Sequence, residues 1–223
     1  MVPSRETENP DPAVCGAERR GRKRSENKNR AILDAAGDLF LARGFDHASM
    51  DEVARVASVS KQTVYGHFQS KEQLFRAVIA DKVASYFPEN PIEYVASHDI
   101  GRTLTLIARQ YLSLVLSEEA VTMFRILVAS AASHPRMIRM YFEEGPARLN
   151  AEIASCLETA VARDELACPD TTYAARDFAA LLRGDLHLRA VLGCAERQAL
   201  EVEVDRHIDR SVAAFLKLNP PRR

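Results

Sequence analysis

Apolar residues recur at three- and four-residue spacings along most of the chain, a pattern typical of amphipathic helices. In the first such segment, Lys28 to Arg43, the apolar positions run i, i+3, i+4, i+7 and i+8 from Ile32, and the pattern stops at Gly44. No alternating run of β-branched residues bounded by turns occurs in the sequence. We therefore predict an all-α fold.

Capping signals predict three further helices in the N-terminal third. Ser49 begins a capping box, Ser60 is a suitable N-cap, and Ser70 begins a second capping box. The predicted bounds are 50–57, Lys61 to His67 and Lys71 to Phe87.

Prolines and glycines divide the rest of the chain into more helical segments. Their predicted bounds are Ile100 to Leu116, Ala120 to Ser133, Pro135 to Glu144, Pro146 to Arg163, Asp170 to Leu192 and Glu196 to Leu218. Residues 1–20 contain three prolines and no periodicity, so we expect a mobile tail there.

The two short helices flanking residues 57–60 have the spacing of a helix-turn-helix. Val64 and Phe68 are four residues apart and should face inward. The side chains expected to face solvent or a ligand are those of Lys61, Gln62, Thr63, Tyr65 and His67, together with Gly66. A solvated polar connector would explain any one of these residues, but not the set.

That set suits DNA. Lysine and glutamine side chains can hydrogen-bond base edges, and the methyl group of Thr63 can meet a thymine methyl. Tyr65, His67 and the backbone N–H groups where the next helix begins at Lys71 suit phosphate oxygens.

The distribution of charge along the chain also indicates that the segment containing the helix-turn-helix binds DNA. The chain of 223 residues has a net charge of −1, yet residues 19–71 hold 11 basic and 6 acidic side chains. This pattern predicts a polyanion-binding module on an acidic body; an accidental surface patch is the alternative explanation of the charge. We therefore predict a helix-turn-helix domain over residues 21–70 and a larger helical domain over residues 71–223.

Several classes of protein are excluded or disfavoured. No run approaches the roughly 18 uncharged apolar residues of a membrane span, and the first residues do not resemble a secretory signal, so we expect a cytoplasmic protein. The four cysteines and six histidines lack disulfide, metal-ligand or catalytic spacing. We expect reduced thiols, no metal, no cofactor and no enzymatic activity. A redox switch through Cys156 and Cys168 is the alternative for the thiols.

The larger domain offers a candidate cavity. The segment Ile100 to Leu116 is apolar on more than one face, so it should be central. Its side chains are either plain core or the lining of a small-molecule site. The candidate lining residues are Val83, Phe87, Leu104, Ile107, Ala108, Tyr111, Phe124 and Met140, with the polar cluster Arg183, Asp185 and His187 as the next candidate.

The last two predicted helices combine small and large apolar residues, as a four-helix dimer interface would need. The candidate interface residues are Phe178, Leu181, Gly184, Leu188, Val204, Ile208, Val212 and Phe215. Packing on the chain's own body is the alternative for each of them.

Residues Asn29 to Phe75 resemble the N-terminal domain of the TetR family of transcriptional regulators. The resemblance rests on RAILDAAGDLF, GFDHASMDEVARVASVSKQTVYGHF and QSKEQLF. It implies that Lys61, Gln62 and Thr63 contact bases and that Arg22, Lys23 and Arg24 belong to a flexible arm. It also implies that phosphates are contacted by Ser49, Tyr65, His67 and Lys71.

The sequence departs from the family pattern in two places. Ser58 stands where the turn usually has glycine, which implies a strained or altered turn. Gly66 lies inside the predicted recognition helix, where it allows a close backbone approach to DNA or marks early fraying.

The C-terminal part resembles the AefR-like branch of the family over Met123 to Gly193. FRILVASAASHPRM, YFEEGPAR and FAALLRGDLHLRAVLG carry that resemblance, which implies an effector and dimerisation domain. We expect a homodimeric repressor that binds a near-palindromic double-stranded DNA operator and is released by a small apolar or amphipathic effector. The alternative is a DNA-binding protein or activator with no small-molecule effector.

Overall fold

The computed structural model describes residues 12–87, 99–194 and 197–220, and it describes side chains from residue 25 onward except that of residue 197. All regular structure within these ranges is helical, as the sequence predicts. The elements are α1 Pro12–His47, α2 Met50–Val56, α3 Lys61–His67, α4 Lys71–Tyr86, α5 Ile100–Val115, α6 Glu118–Ser130, α7 Pro135–Phe142, a π-helical segment Glu143–Ala147, α8 Arg148–Ala162, α9 Thr171–Leu192 and α10 Arg197–Leu218.

The first helix is longer than the apolar pattern predicts. It begins at Pro12 rather than Lys28, so residues 12–20 are helical where we expected no element. Residues 1–11 lie outside the described part of the chain, and the mobility of the tail stays a prediction. Gly44 interrupts the helical backbone with φ 74° and ψ 171°, which confirms the predicted end of the amphipathic face.

The three predicted serine caps in the N-terminal third are confirmed. The hydroxyl oxygens of Ser49, Ser60 and Ser70 accept hydrogen bonds from backbone N–H groups three residues ahead, at 3.1 to 3.2 Å. The Gln73 side chain accepts a hydrogen bond at 2.7 Å from the backbone N–H of Gln69, the residue before the N-cap Ser70. These caps satisfy orphan N–H groups and fix the start of α2, α3 and α4.

The break predicted between Gly145 and Pro146 is wrong. The chain passes from α7 to α8 through the π-helical segment without a turn. Proline has no N–H to donate and its ring crowds the preceding turn, and a wider π turn relieves both constraints. Such segments occur often at functional sites.

Two apolar cores organise the helices. One holds most of the buried side chains of α1 to α3, together with Leu74, Phe75 and Ile79 of α4 and buried residues of α6 and α7. The other is formed by α5, α8, α9 and α10, and it includes Val83 of α4. The packing therefore does not divide the chain at residue 70, because α4 contributes to both cores.

Several residues predicted for a dimer interface belong to the second core instead. Phe178, Ile208 and Phe215 are completely buried and Val212 nearly so, all within a single chain. Their prediction as interface residues is wrong, because a side chain enclosed by its own subunit has no surface left for a partner. Leu181 and Val204 pack partly against the same core.

Helix α9 is kinked at Gly184, where φ is 44° and ψ is −143°. A Cβ at this position would lie 2.9 Å from Cε1 of His207, so only glycine fits. Nε2 of His207 lies 2.8 Å from the carbonyl oxygen of Leu182 and 3.1 Å from that of Leu181. The imidazole thus fills the kink and joins α10 to α9.

Candidate nucleic-acid interface and interhelical cavity

The face of α3 is divided as the sequence predicts. Val64 is completely buried and Phe68 is nearly so. Lys61, Gln62, Tyr65 and Gly66 are exposed, whereas Thr63 and His67 are half-buried. The helix is held from behind by apolar contacts and presents polar groups outward.

Two local contacts hold side chains of this face. Nζ of Lys61 lies 2.6 Å from Oδ2 of Asp51, and the hydroxyls of Thr63 and Ser60 are 2.8 Å apart. Both partners of the Lys61 ion pair are more than half exposed. Such a pair contributes little to stability, so Lys61 can exchange Asp51 for another anion at small cost.

Lys71 has a structural role in addition to its predicted phosphate contact. Its Nζ donates to the carbonyl oxygen of Asp46 at 3.1 Å and lies 4.5 Å from the centre of the Phe45 ring. It thereby ties the start of α4 to the end of α1. Arg55 of α2, which the sequence analysis did not single out, has a 74% exposed side chain whose Nη2 lies 3.7 Å from Oε1 of Glu52.

The turn between α2 and α3 adopts the conformation that its family position requires. Ser58 has φ 54°, in the left-handed region that glycine adopts without cost. Ser49 is exposed at the N-terminus of α2. The side chains of Arg22, Lys23 and Arg24 lie outside the described residues, although their backbone belongs to α1.

Gly66 is surrounded by open space. A Cβ built at this position meets no heavy atom within 4 Å. Crowding inside the protein therefore does not explain the glycine.

A cavity of about 390 Å³ lies where the two cores meet. Helices α1, α4, α5, α6, α7, α8 and α9 and the π-helical segment all contribute to its wall. The apolar side chains among its lining are those of Leu33, Leu41, Val78, Ile79, Val83, Leu114, Val115, Met123, Phe124 and Leu149.

The cavity coincides only in part with the predicted one. Val83, Tyr111 and Phe124 line it. The other predicted residues do not line it, because they are packed into the cores: these are Phe87, Leu104, Ile107, Ala108 and Met140. Arg183 and His187 of the polar cluster do line it, whereas Asp185 is exposed and pairs with Arg189.

Sequence reasoning missed the part of the wall formed by α1. Asp34, Gly37 and Asp38 lie there. The sequence feature that indicates this wall is a second row of non-polar residues on α1, at positions 33, 37 and 41, beside the main apolar face. The sequence analysis assigned all of α1 to the DNA-binding domain and therefore did not predict that α1 lines the cavity.

The walls of the cavity differ in charge. Asp34 and Asp38 of α1 are exposed carboxylates, and Asp81 of α4 pairs with Arg30 at 2.5 Å. On the side of α9, Arg183 and His187 contribute a cation and an imidazole. The site therefore has an acidic and a basic side separated by apolar surface.

The charge of Arg183 on the basic side affects the pKa of two tyrosines that line the cavity. Burial raises the pKa of Tyr111 and of Tyr141, and the positive charge of Arg183 acts on both in the opposite direction. Burial lowers the pKa of His187, and Arg183 lowers it further. His187 is therefore neutral at pH 7, and its ring meets that of Phe124 edge to face at 5.0 Å.

Two polar links connect the C-terminal part of the chain to α4 and α1. Arg76 of α4 binds Glu143 and Glu144 of the π-helical segment at 2.7 and 2.8 Å, and the next two residues of that segment line the cavity. His134, before α7, pairs with Asp46 at 2.5 Å. A displacement of the π-helical segment would therefore act on α4 directly.

Within the described ranges, no helix is long and apolar enough to cross a membrane, and no group of three potential metal ligands occurs.

Comparison with known proteins places both parts of the chain in one family. Residues 32–78 match the model of bacterial regulatory proteins of the tetR family. Residues 102–218 match the model of the C-terminal domain of AefR-like transcriptional repressors.

Similar proteins are regulators rather than enzymes. A solved structure of a putative TetR-family transcriptional regulator from Mesorhizobium loti is 31% identical, covers 88% of this chain and 98% of its own, and superposes with a TM-score of 0.73. The Flavonoid-responsive Regulator FrrA is 33% identical with the same coverage and a TM-score of 0.68.

The HTH-type transcriptional regulator SrpR of Pseudomonas putida is 28% identical over 64% of this chain, and the match spans 65% of SrpR. The extent and agreement of these matches, together with the helix-turn-helix and the helical C-terminal part, show that this chain belongs to the TetR family of transcriptional regulators and that its C-terminal domain is of the AefR-like kind.

Proposed function

We propose that this chain is a homodimeric transcriptional repressor that binds a near-palindromic operator and releases it when a small apolar or amphipathic effector fills the cavity. The observation that carries the proposal is the course of α4. This helix begins beside the recognition helix and contributes Val78, Ile79, Lys82 and Val83 to the cavity. One rigid element of about 24 Å thus touches both sites.

Binding of the operator follows from the outward face of α3. Gln62 is exposed and its side chain makes no hydrogen bond within the described part of the chain, so its amide is available to a base edge. Tyr65, half exposed, and the N-terminus of α4 suit phosphate oxygens.

A dimer follows from the exposed apolar surface on α9 and α10. Leu188, Leu192 and Val202 are 56%, 64% and 80% exposed, and they lie on the last two helices. Gly184 and Leu188 are the residues of the predicted interface that remain exposed. A single helix-turn-helix contacts too few base pairs to select one site, and a two-fold dimer reads two half-sites.

An effector is supported by the cavity, whose volume lies in the range of small-molecule sites. The relative FrrA is named as flavonoid-responsive, which agrees with a cavity of this size. We propose that a ligand in contact with α4 and the π-helical segment shifts the dimer away from the half-site spacing of the operator. By linkage, the ligand then binds free protein more tightly than DNA-bound protein by the same factor.

The DNA-binding part of the proposal is tested with Gln62→Ala. Operator is first selected from a random duplex pool, and binding is then measured by fluorescence anisotropy at fixed salt. The loss of a base contact should weaken operator binding by about 1 to 3 kcal/mol and relax the preference at one base position. Ser113→Ala, which changes an exposed polar residue on α5, outside both the recognition helix and the proposed dimer surface, is the control and should bind as the wild type does. Unchanged binding by Gln62→Ala would contradict the assignment of α3.

The dimer is tested with Leu188→Arg. A charge in the centre of an apolar interface should convert the protein to monomer in sedimentation velocity and abolish operator binding, with unchanged helicity. Phe142→Arg is the control, because Phe142 is a large apolar side chain, 56% exposed, on α7 rather than on α9 or α10. A dimer that survives Leu188→Arg would place the interface elsewhere.

A further inference from the structure

We infer that the cavity selects effectors that carry a single anionic group on an apolar body, and that Arg183 with the hydroxyls of Tyr111 and Tyr141 forms the anion-binding end. This inference rests on the proposed effector function and specifies the chemical class of ligand for that site.

The first observation is that Arg183 has no protein partner for its charge. It lines the cavity from α9, and no hydrogen bond or ion pair joins it to another residue in the described part of the chain. By contrast, Arg189 on the same helix pairs with Asp185 and with Glu203, at 2.9 and 2.6 Å. The guanidinium of Arg183 is therefore available to a carboxylate, which it can bind through two parallel hydrogen bonds.

The second observation is a tyrosine hydroxyl at the cavity wall that has no hydrogen-bond partner in the described part of the chain. Tyr111 is only 5% exposed and lines the cavity, yet its hydroxyl makes no hydrogen bond to any described residue. The hydroxyl oxygen of Tyr111 is not fully enclosed by protein, so it is open to a ligand in the cavity. Tyr141 lines the same cavity and its hydroxyl is also unpaired among the described residues. Both O–H groups can donate to an anion.

These groups act within one electrostatic neighbourhood. The charge of Arg183 affects the pKa of Tyr111, of Tyr141 and of His187. Since the pKa of His187 is lowered, its imidazole adds no second positive charge at pH 7. The α9 side of the cavity therefore holds one cation, Arg183, and up to three neutral donors. Lys82 also lines the cavity, from α4, but its Nζ lies 3.9 Å from Oε1 of Glu119, another lining residue. The charge without a partner therefore matches one anionic group rather than two.

The rest of the cavity fits an apolar body. Val78, Ile79 and Met123 supply aliphatic surface, and Phe124 meets His187 edge to face to form an aromatic wall. The exposed carboxylates of Asp34 and Asp38 line the α1 side and would repel a second anionic group. The expected ligand is an aryl or alkyl acid with one negative charge.

The test compares three ligands of equal size that differ in charge: 2-naphthylacetate, 2-naphthylacetamide and 2-(2-naphthyl)ethylamine. Binding to the full chain is measured by isothermal titration calorimetry at pH 7.5. The acid should bind about 10- to 100-fold more tightly than the amide, the range expected for charge-assisted hydrogen bonds. The amine should bind most weakly, because it meets the Arg183 charge.

Substitutions at Arg183 and Tyr111 test whether these residues cause the preference for the acid over the amide. Arg183→Gln should abolish the advantage of the acid and leave the affinity for the amide unchanged. Tyr111→Phe keeps the buried ring and should reduce the advantage without removing it. Arg176→Gln is the matched control, because Arg176 is an exposed arginine two turns earlier on α9, stacked on Tyr173 and outside the cavity.

The outcomes separate this inference from the proposed function. Equal affinities for acid and amide, or an acid preference that survives Arg183→Gln, would overturn the anion-binding end while leaving an effector site. If the amine binds most tightly, the inference is overturned, and the charged group of the ligand is bound at the acidic side of the cavity by Asp34 and Asp38. Failure of all three ligands to bind would also overturn it. Operator binding without ligand, measured on the same preparations, reports on the DNA-binding proposal independently.

Discussion

Replacing Gly66 with alanine separates the stability of the recognition helix from its fit to DNA. The backbone at this position is helical, and the added Cβ meets no heavy atom within 4 Å, so it introduces no clash. Alanine is favoured over glycine in helices by about 0.5 to 1 kcal/mol. For a chain of this size, that gain corresponds to a rise in Tm of about 1 to 4 °C.

The same methyl group should weaken DNA binding. Gly66 is exposed on the outward face of α3, one residue after Tyr65. If the glycine serves a close approach of the backbone, the variant is more stable and binds operator less tightly than the wild type. We expect this combination because the fold itself gives no reason for glycine at this position.

Thermal unfolding and operator anisotropy on the same samples provide the assay. Gly37→Ala is the control for the first measurement. Its Cβ would make an ordinary contact of 3.6 Å with Val78, far along the chain from α3, so it should raise Tm without changing operator affinity in the absence of ligand. A Gly66→Ala variant with lower stability would refute the helical assignment. Higher stability with undiminished operator affinity would refute the close approach.

Three further predictions follow from single residues. Ser58→Gly should stabilise the protein by about 1 kcal/mol in urea unfolding, because Ser58 has φ 54° and the left-handed conformation disfavours residues with a Cβ; a loss of stability would contradict this. Native alkylation with iodoacetamide, followed by peptide mass spectrometry, should modify the exposed Cys194 and spare the buried Cys156, since burial raises the pKa of Cys156 to about 11; rapid modification of Cys156 would contradict its burial. The pKa of His187 is lower in the native chain than in the unfolded chain, so the unfolded chain takes up its proton at higher pH, and the free energy of unfolding should fall as the pH drops below about 6.5. His187→Phe should lessen that fall between pH 7.5 and 5.5 in urea titrations. An identical pH dependence in both proteins would contradict the shift.

The N-terminal part of the fold was predictable because its signals are local. Capping residues at Ser49, Ser60 and Ser70 fix helix starts within a few residues of the chain, and the inward positions of Val64 and Phe68 follow from helical spacing. The left-handed Ser58 was likewise visible as a residue standing where the family has glycine. Such features depend on neighbours in sequence rather than on tertiary packing.

The cavity was harder to predict because periodicity does not distinguish buried core from cavity wall. Leu104 and Tyr111 lie on the same face of α5, yet Leu104 is enclosed by core and Tyr111 lines the cavity. The predicted dimer residues mix internal and surface positions for the same reason: Phe215 and Leu188 are both apolar positions on the last two helices, and only packing shows that Phe215 is internal. The π-helical segment at Gly145 also depends on tertiary context, since proline alone predicts a break.

The position of the cavity suggests how occupancy reaches the DNA. The π-helical segment supplies both the cavity residues Gly145 and Pro146 and the carboxylates that hold Arg76 of α4. Because packed helices resist bending, a ligand that displaces this segment should move α4 as a unit. This is the physical basis of the proposed release.

The most direct test of the account is the affinity of operator measured with and without saturating 2-naphthylacetate, in the wild type and in Ala120→Phe. Ala120 lines the cavity on α6, so phenylalanine there should fill it. The account predicts that ligand weakens operator binding by the wild type about 5- to 150-fold and leaves the variant unaffected. Wild-type protein shown by calorimetry to be saturated with ligand, yet binding operator with unchanged affinity, would contradict the proposal that this cavity controls the DNA-binding domain.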